Sequence, residues 1–582
     1  MERRVLVAIF LAFLVLYAWQ ALFVKPAPKP APVGGNAPAA TTTPGAASPT
    51  PSSPANAAAP KPAGPVGSPP AEAATPLVAD TVEKDVRVET RDVIAVLTNR
   101  GARLKSWRVK RYLDAQRQPQ ELIEHKLEGQ PLPFTLHVPN EATSAALNNG
   151  LYTVSGAPTG EITAPTDVRF EYRDSSGVHA VKTFHFVPAS YIFSYQGTVK
   201  QNEQPVATSI VWGPAVGDTG EQASYLKKAE GLTFENGKVT RIRSGDIAKQ
   251  PSREGSYRYV GVDDNYFMTA ALDPGPVKAS FNVVTVPPPS GTKAARELVS
   301  YSFEPQHADT PIKFFFGPKD FDVLYAIGPE LSQAIDFGFF RIIVAPLLQS
   351  LKWVNGYVGN YGWSIIILTF IINAIMFPLR HKSVVSMRKM QEIQPEVKAI
   401  QQRYSKLKAT DPEKQKMNQE LMALYKQRGV NPASGCVPML MTMPFIFAFY
   451  ALLSTAIELR GAPWFGWIHD LSAHDPYFVV PILMGVSQIW QQKLAPAAGM
   501  DPVQQKMMLL MPVFFTFLFL KYPSGVALYW FVNNVWAIGQ QYATNYMIGP
   551  APGGPPPTKA SAGERRMKRV GGGKTLAAAR DN

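Results

Sequence analysis

The hydrophobic and polar residues of this chain follow several patterns, and the clearest is one long apolar run. Residues Gly362 to Leu379 contain no Asp, Glu, Lys, Arg or His, and Arg-His-Lys follows at once at positions 380–382. A helix of this length spans about 27 Å, close to the roughly 30 Å hydrocarbon core of a bilayer. Basic residues mark the cytoplasmic end of a span. The pattern predicts a transmembrane helix over residues 358–379 whose C-terminal end is cytoplasmic.

Further apolar runs predict five more crossings. The first, at residues 1–25, follows a short basic start and is interpreted as a retained signal anchor, with a cleaved signal peptide as the alternative. The others lie at residues 433–457, 477–493, 507–521 and 525–546, with an outer loop at 458–476 and an inner loop at 494–506. Six crossings place both termini in the cytoplasm, which agrees with the excess of Lys and Arg in the inner segments.

Between the first two predicted crossings the period changes to two. Val168, Phe170 and Tyr172 alternate with polar residues, a turn follows at 174–177, and alternation resumes through 178–186. Short alternating runs between turn signals indicate strands of a large antiparallel sandwich over residues 77–321. The sandwich follows an outward-going span, so it is expected outside the cytoplasm. Residues 26–76 are rich in Pro and Ala and predict an extended linker.

Residues 322–357 return to a helical period. Leu324, Ile327, Leu331 and Ile335 recur at three and four positions. Such an apolar stripe is typical of amphipathic helices on a membrane surface. Packing of the same stripe against the sandwich is the alternative.

A polar, basic segment at 380–432 has a heptad-like seam that begins at Met387 and Met390. A second helical pattern starts after Asp411-Pro412, so the segment is predicted to be a cytoplasmic helical hairpin. Pro395 lies inside its first arm and predicts a break there. The hairpin either closes on itself or serves as a docking arm.

Composition and charge indicate which class of partner this protein binds. The 582 residues carry a formal net charge of +14 and a pI of about 9.5, which suggests an anionic partner such as lipid headgroups or RNA. The tail at 547–582 concentrates part of this charge in Arg565, Arg566, Lys568 and Arg569, so we expect contact with lipid or the ribosome there. The single cysteine, Cys436, excludes an intramolecular disulfide.

The apolar interiors of the five later spans hold no Asp, Glu, Lys, Arg or His, which argues against ion-coupled transport. Their polar residues are uncharged. Such groups either bond helix to helix or together line a wet recess that carries polar segments into the membrane. The candidates for such a recess are Asn373, Thr442, Ser487, Gln488, Asn533 and Asn534.

An ordered set of short motifs resembles one protein family. The motifs are Asn431-Pro432-x-x-Gly435-Cys436, Met443-Pro444, Glu458-Leu459-Arg460-x-Ala462-Pro463, Trp467-Ile468-His469-Asp470-Leu471-Ser472 and Tyr522-Pro523-Ser524-Gly525. Together, over about residues 314–546, they resemble the YidC family of bacterial membrane protein insertases, which is related to the mitochondrial oxidase-assembly insertase.

The resemblance implies a multi-span α-helical membrane protein of the bacterial inner membrane. It implies six transmembrane helices, a five-helix insertase core with a hydrophilic groove, and a periplasmic antiparallel β-supersandwich of the mutarotase kind. It further implies a monomeric insertase and folding chaperone, without covalent chemistry, cofactor or metal. Expected partners are newly made membrane proteins, the Sec translocon and its accessory subunits, the ribosome, signal-recognition targeting factors and anionic lipids.

One position departs from the family pattern. The family usually has a basic residue where this chain has Asn373. The next candidate, Arg380, lies two helical turns nearer the cytoplasm, so we expect it at the groove mouth with Lys382, Met387 and Met390. A carbohydrate-binding or carbohydrate-active protein with a helical anchor, and a passive channel, are the alternative functions.

Overall fold

The structure, a computed structural model, consists mainly of strands up to residue 318, with two short helices among them, and of helices after it. It describes residues 75–114, 116–124, 129–214, 216, 228–286, 296–307, 309–404, 413–430, 437–494 and 502–548. The predicted first crossing at 1–25 lies outside these residues, as do Arg565, Arg566, Lys568 and Arg569 of the tail.

Eighteen strands lie in the described ranges. They are β1 Pro76–Val78, β2 Asp85–Glu89, β3 Val93–Thr98, β4 Arg103–Leu113, β5 Pro119–Glu121, β6 Thr135–His137, β7 Thr153–Ser155, β8 Thr166–Asp174, β9 Val178–Phe186, β10 Ile192–Gln201, β11 Gln204–Pro205, β12 Ser209–Trp212, β13 Glu230–Glu235, β14 Lys238–Ile242, β15 Ser252–Asp263, β16 Phe267–Val286, β17 Arg296–Phe303 and β18 Ile312–Pro318.

The α-helices of the same ranges are α1 Glu141–Asn149, α2 Ser244–Ile247, α3 Phe321–Ile327, α4 Arg341–Val358, α5 Tyr361–Glu392, α6 Gln394–Arg403, α7 Glu413–Gln427, α8 Val437–Thr455, α9 Val479–Leu494, α10 Pro502–Phe519 and α11 Ser524–Ile548. Short 3₁₀ turns lie at Leu331–Ala334, Gly338–Phe340 and Ile457–Leu459.

The long strand β16 organises a 14-stranded sheet. On one edge it pairs antiparallel with β15 along its length. On the other edge Phe267–Leu272 pairs with β18, whereas Ala279–Val286 pairs with β17. The sheet therefore divides into two branches, one running β18-β10-β9-β8-β1 and the other β17-β12-β6.

Aromatic side chains fill the space between these branches. Trp212 of β12 stacks on Phe314 of β18 with ring centroids 5.4 Å apart, and Phe134 packs edge-on against the same ring at 5.0 Å. A second, four-stranded sheet, β2-β3-β4-β5, lies beside this core. Its Trp107 donates Nε1–H to the Phe316 carbonyl at 2.9 Å and stacks on the Phe316 ring. The predicted antiparallel sandwich is confirmed.

Strand β9 has the predicted alternation but carries one unexpected inward residue. Its burial alternates from Val178 to Phe186, and Lys182 occupies a core position at 0% exposure. The ammonium donates to the carbonyls of Gly101, Ala102 and Phe134 at 2.6, 3.2 and 2.7 Å. Burial lowers the pKa of Lys182 well below its usual value, with nearby Arg103 acting in the same direction. The three carbonyls oppose this by favouring the charged form.

The amphipathic segment after β18 divides into two parts. Leu324, Leu331 and Ile335 are buried in the same hydrophobic cluster as the sandwich strands, which matches the packing alternative. Further along, Ile342 and Tyr357 of α4 are exposed, as an apolar face on a membrane surface would be. The predicted continuous stripe is broken because 3₁₀ turns separate α3 from α4.

Helix α5 continues past the predicted end of its span. It runs for 32 residues through Pro378 and ends at Glu392, so no helix boundary lies at residue 380. The segment Tyr361–Ser386 is long and apolar enough to cross a membrane, and it is the one such helix among the described residues. Met443–Thr455 and Leu510–Phe519 are shorter apolar segments. The count of six crossings therefore stays a prediction.

The predicted break at Pro395 is confirmed. Helix α5 ends at Glu392 and α6 begins at Gln394, with Pro395 in its first turn, where a missing N–H costs no hydrogen bond. Ile393, Val397 and Val430 form a small separate core with Met390 and residues of α7. The hairpin α6–α7 thus has its own apolar seam.

The buried lysine generates a stability prediction. Replacing Lys182 with Met leaves three buried carbonyls without their donor, which we expect to cost about 2 kcal/mol or more. The heat-denaturation midpoint of the purified full chain in detergent measures this loss. Lys313→Met, on the exposed face of β18, is the matched control. Equal midpoints for the two variants would contradict the assigned role of Lys182.

Candidate functional site

The bundle of α5, α8, α9, α10 and α11 has two distinct ends. At the sandwich end, the segment 456–478 contacts the strands, for example through Arg460, whose Nη2 donates to Gln120 Oε1 at 2.7 Å. At the opposite end, α5 continues towards the hairpin α6–α7, and we call this the hairpin end. Helix α11 packs against α5, α8 and α9.

Asn373 and Arg380 form a polar pair on α5. Asn373 is 3% exposed, and its Nδ2 donates to the Thr369 carbonyl at 2.8 Å. Arg380 Nη1 donates to Asn373 Oδ1 at 2.6 Å. Helical side chains lean towards the N-terminus, so Arg380 reaches back towards the middle of the span instead of out to its mouth. The described residues include no carboxylate that pairs with Arg380.

A second polar contact joins α9 to α11. Asn534 is buried and donates Nδ2–H to Ser487 Oγ at 3.1 Å and to the Met484 carbonyl at 3.2 Å. Ser487 in turn donates to Met484 O at 2.7 Å. These two predicted residues therefore bond helix to helix, which was the alternative to lining a recess.

Four side chains near the hairpin end keep buried polar atoms without a hydrogen-bond partner. They are Gln488 and Gln492 on α9, and Trp536 and Gln540 on α11. Each pair is spaced by four residues, so its members lie on one helix face. Gln540 is 7% exposed, and neither of its amide atoms has a partner. An isolated buried amide is costly, so these atoms mark a place suited to water or a polar ligand.

The remaining predicted residues are dispersed. Asn533 is half-buried, Lys382 is exposed, and Met390 belongs to the hairpin seam. Thr442 lies in α8 and Met387 in α5, but the structure does not describe these two side chains. Of the predicted recess residues, Asn373 accepts the hydrogen bond from Arg380 and Gln488 has a buried oxygen without a partner.

Sequence reasoning missed Gln492, Trp536 and Gln540. The four-residue spacing of Gln488 and Gln492 on α9, and of Trp536 and Gln540 on α11, was the available signal, but the predicted residues ended near the middle of each span. It also missed that Arg380 and Asn373, seven residues apart, share one face of α5.

Two aspartates at the sandwich end form hydrogen bonds within their own loop and to the start of α9. Asp475 is fully buried, accepts from the backbone N–H of Val480 at 2.8 Å and from Trp467 Nε1 at 2.9 Å, and so caps α9. Asp470 accepts from the Ser472 backbone N–H at 2.8 Å. Among the described residues, no group of three His, Cys, Asp or Glu is arranged to hold a metal ion.

Comparisons with known proteins agree along the chain. Residues 85–350 match the family model described as the YidC periplasmic domain, and residues 353–550 match that described as 60Kd inner membrane protein. A membrane protein insertase YidC of Geobacter metallireducens is 34% identical over 95% of this chain and 99% of the relative. One of Citrifermentans bemidjiense is 36% identical over 94% and 100%.

A crystal structure of an active YidC insertase aligns with 81% of this chain and 95% of its own, at 18% identity and a TM-score of 0.33. That score is too low to transfer positions from one structure to the other.

The fold and the matched regions define an inner-membrane protein in which a periplasmic antiparallel β-sandwich is attached to a helical bundle. The similarity to these relatives extends over nearly the full length of both chains, and it therefore decides the family. The chain belongs to the YidC family of membrane protein insertases.

The contact between α9 and α11 offers a test with two adjacent asparagines. Asn534→Ala removes two hydrogen bonds between helices, and we expect a loss of about 1 kcal/mol, since such bonds in membrane proteins average roughly 0.6 kcal/mol each. Asn533→Ala removes an amide of the same size one position away. Thermal unfolding of both variants in detergent checks the difference, and a larger loss in Asn533→Ala would contradict the assignment.

Proposed function

We propose that this chain inserts integral membrane proteins into the bacterial inner membrane and assists their folding, by providing a polar recess for the segments that must cross. The observation that carries the proposal is the hairpin end of the bundle. Arg380 there has a neutral partner, Asn373, and four further side chains keep buried polar atoms unpartnered. No covalent step and no cofactor is required for this function.

A recess of this kind lowers the cost of transfer. A polar segment that enters hydrocarbon leaves each unpaired amide at a cost of several kcal/mol. Gln488, Gln492 and Gln540 offer both donors and acceptors to such a segment. These groups are already inside the bundle. The polar groups of a client segment therefore replace their hydrogen bonds to water with hydrogen bonds to these amides, and they do not enter lipid unpaired.

Arg380 supplies the charge that the family pattern places at the position of Asn373. Its guanidinium is held at the depth of that residue by the 2.6 Å hydrogen bond. An acidic client segment would be attracted there, and opposite charges 4 Å apart interact by about 4 kcal/mol at an effective dielectric constant of 20. The recess therefore favours clients whose translocated segments are acidic.

The apolar part of a client needs a different surface. Ile375 on α5, Val486 on α9 and Phe517 on α10 are exposed on the outside of the bundle. Only 33% of the Tyr361–Ser386 span is buried within the protein, so much of it is open to lipid. We infer that apolar client helices leave the recess along this surface.

We further propose six crossings with both termini in the cytoplasm. The five spans after the periplasmic domain correspond to α5 and α8–α11, and the sixth is the N-terminal anchor. The basic residues 380–382 favour a cytoplasmic position of the hairpin end. The hairpin and the basic tail are proposed to meet the ribosome, signal-recognition factors and anionic lipids. The protein would act as a monomer, alone or with the Sec translocon.

The insertion proposal is tested with purified protein in liposomes without Sec components. The client is a two-span protein with a short acidic translocated tail, and protease protection scores its insertion. We expect Arg380→Gln to slow insertion roughly tenfold, which corresponds to about 1.4 kcal/mol, and Arg380→Lys to retain most of it. Asn373→Leu, which removes the acceptor of the guanidinium, should also reduce insertion.

A client with asparagines in place of the tail carboxylates is the matched control. It should be inserted equally by the parent and Arg380→Gln. Equal insertion of the acidic client by all variants would exclude Arg380 as the source of attraction. No insertion by the parent would contradict a Sec-independent insertase.

The topology is tested by thiol labelling in a Cys436→Ser background. Lys382 and His469 are both exposed side chains, on the inner and outer sides of the proposed arrangement. In spheroplasts, a membrane-impermeant maleimide should label His469→Cys directly and Lys382→Cys only after lysis. The reverse order would require the opposite orientation.

A further inference from the structure

One ammonium group joins three segments at the sandwich end. Lys352 Nζ on α4 lies 3.1 Å from Glu458 Oε1 in the turn that follows α8. It also lies 2.6 Å from Asp322 Oδ2 and 3.6 Å from Asp320 Oδ1, at the junction of β18 and α3. Lys352 therefore connects helix α4, on which it lies, with the end of α8 in the bundle and with the end of the sandwich.

These groups are largely removed from water. The side chains of Asp320, Glu458 and Lys352 are 3%, 4% and 23% exposed. Burial raises the pKa of Glu458, and the ammonium of Lys352 counteracts this. Burial works to lower the pKa of Lys352, but Glu458 and the two aspartates raise it above its usual value. Arg111 of β4 adds a second cation, 3.8 Å from Asp320.

Two residues after Glu458, the chain contacts the sandwich directly. Arg460 donates to Gln120 Oε1 at 2.7 Å and to the Leu113 carbonyl at 3.2 Å, and its guanidinium lies 5.3 Å from the Phe267 ring centroid. Asn265 donates to the Ser454 carbonyl at the end of α8 at 3.1 Å. Ionic and hydrogen-bonded contacts thus hold the same end of α8 from two sides.

Helix α8 leads from this joint towards the recess. Phe449 of α8 stacks on Tyr529 of α11, with centroids 4.3 Å apart and planes 9° apart. Tyr529 lies on α11, which packs against α5, the helix that carries Arg380. A displacement of α8 would therefore change the packing of α11 against α5, since closely packed side chains transmit small shifts.

We propose that Lys352, Glu458 and Arg460 are positioning residues that set the place of α8 against α11, and through it the geometry of the recess. The inference rests on the proposed insertase function. It assigns the role to the joint where the end of the sandwich and α4 contact the end of α8.

The position of α8 is measured first, without any client. Spin labels at Phe447→Cys on α8 and Val535→Cys on α11, both exposed sites, report the distance between the helices in a Cys436→Ser background. We expect Lys352→Met and Glu458→Gln to shift or broaden the distance distribution. Lys352→Arg should restore it. In Glu458→Gln, Lys352 still pairs with Asp320 and Asp322, so this variant is expected to fold. It therefore provides the test if Lys352→Met does not fold.

Arg258→Met is the matched control, since it removes an exposed ion pair with Asp273 that lies away from the joint. It should leave the distance unchanged. An unchanged distance in both Lys352→Met and Glu458→Gln would overturn the proposal, whatever the insertion activity.

Insertion is measured next, in the liposome assay with the acidic client. We expect Lys352→Met and Glu458→Gln to lower the maximal rate roughly threefold to tenfold, which lies within the range of couplings between distant sites. Lys352→Arg and Arg258→Met should insert like the parent. A shifted distance with unchanged insertion would overturn the positioning role. Failure of the parent itself would instead refute the proposed function, while the distances still decide whether the joint places α8.

Discussion

A charge taken out of water costs several kcal/mol unless an opposite charge and hydrogen bonds replace the lost solvent. The sandwich end of this protein satisfies that constraint with shared ions. Asp263 is fully buried and receives both Arg241 and Lys319 at 2.8 Å. Lys352 is shared among three carboxylates in the same way. Because each ion has partners on different segments, removing one would leave others uncompensated, and the segments are held together.

The hairpin end treats polar groups differently. Arg380 has an amide oxygen where the sandwich end would supply a carboxylate, and Gln540 is buried with neither amide atom bonded. Unpartnered buried atoms are costly in a rigid core, whereas a place that exchanges water and client segments makes use of them. In the function that we propose, one end fixes the domains and the other remains available to ligands.

Much of the fold could be predicted because the sequence pattern is local. The alternation of β9 and the break at Pro395 follow from the two-residue period and from the missing proline N–H. The inward position of Lys182 follows the same alternation, but its three carbonyl partners come from distant residues that no local pattern connects. The joint at Lys352 could not be predicted for the same reason. Within the recess, composition identified Asn373 and Gln488, whereas the direction of the Arg380 side chain depends on helix geometry.

The direction of the Arg380 side chain affects how its charge could attract a client segment. An arginine at the position of Asn373 would be fixed near its own backbone, but Arg380 extends over two turns to reach the same depth. Its hydrogen bond to a neutral amide lacks the attraction between opposite charges and the bidentate geometry that a carboxylate offers a guanidinium. An acidic client segment would therefore displace the Asn373 oxygen and take over the guanidinium. In the proposed function, Asn373 would keep the cation at the depth of the recess until the client arrives, and the flexible stem of Arg380 would allow it to follow the client inwards.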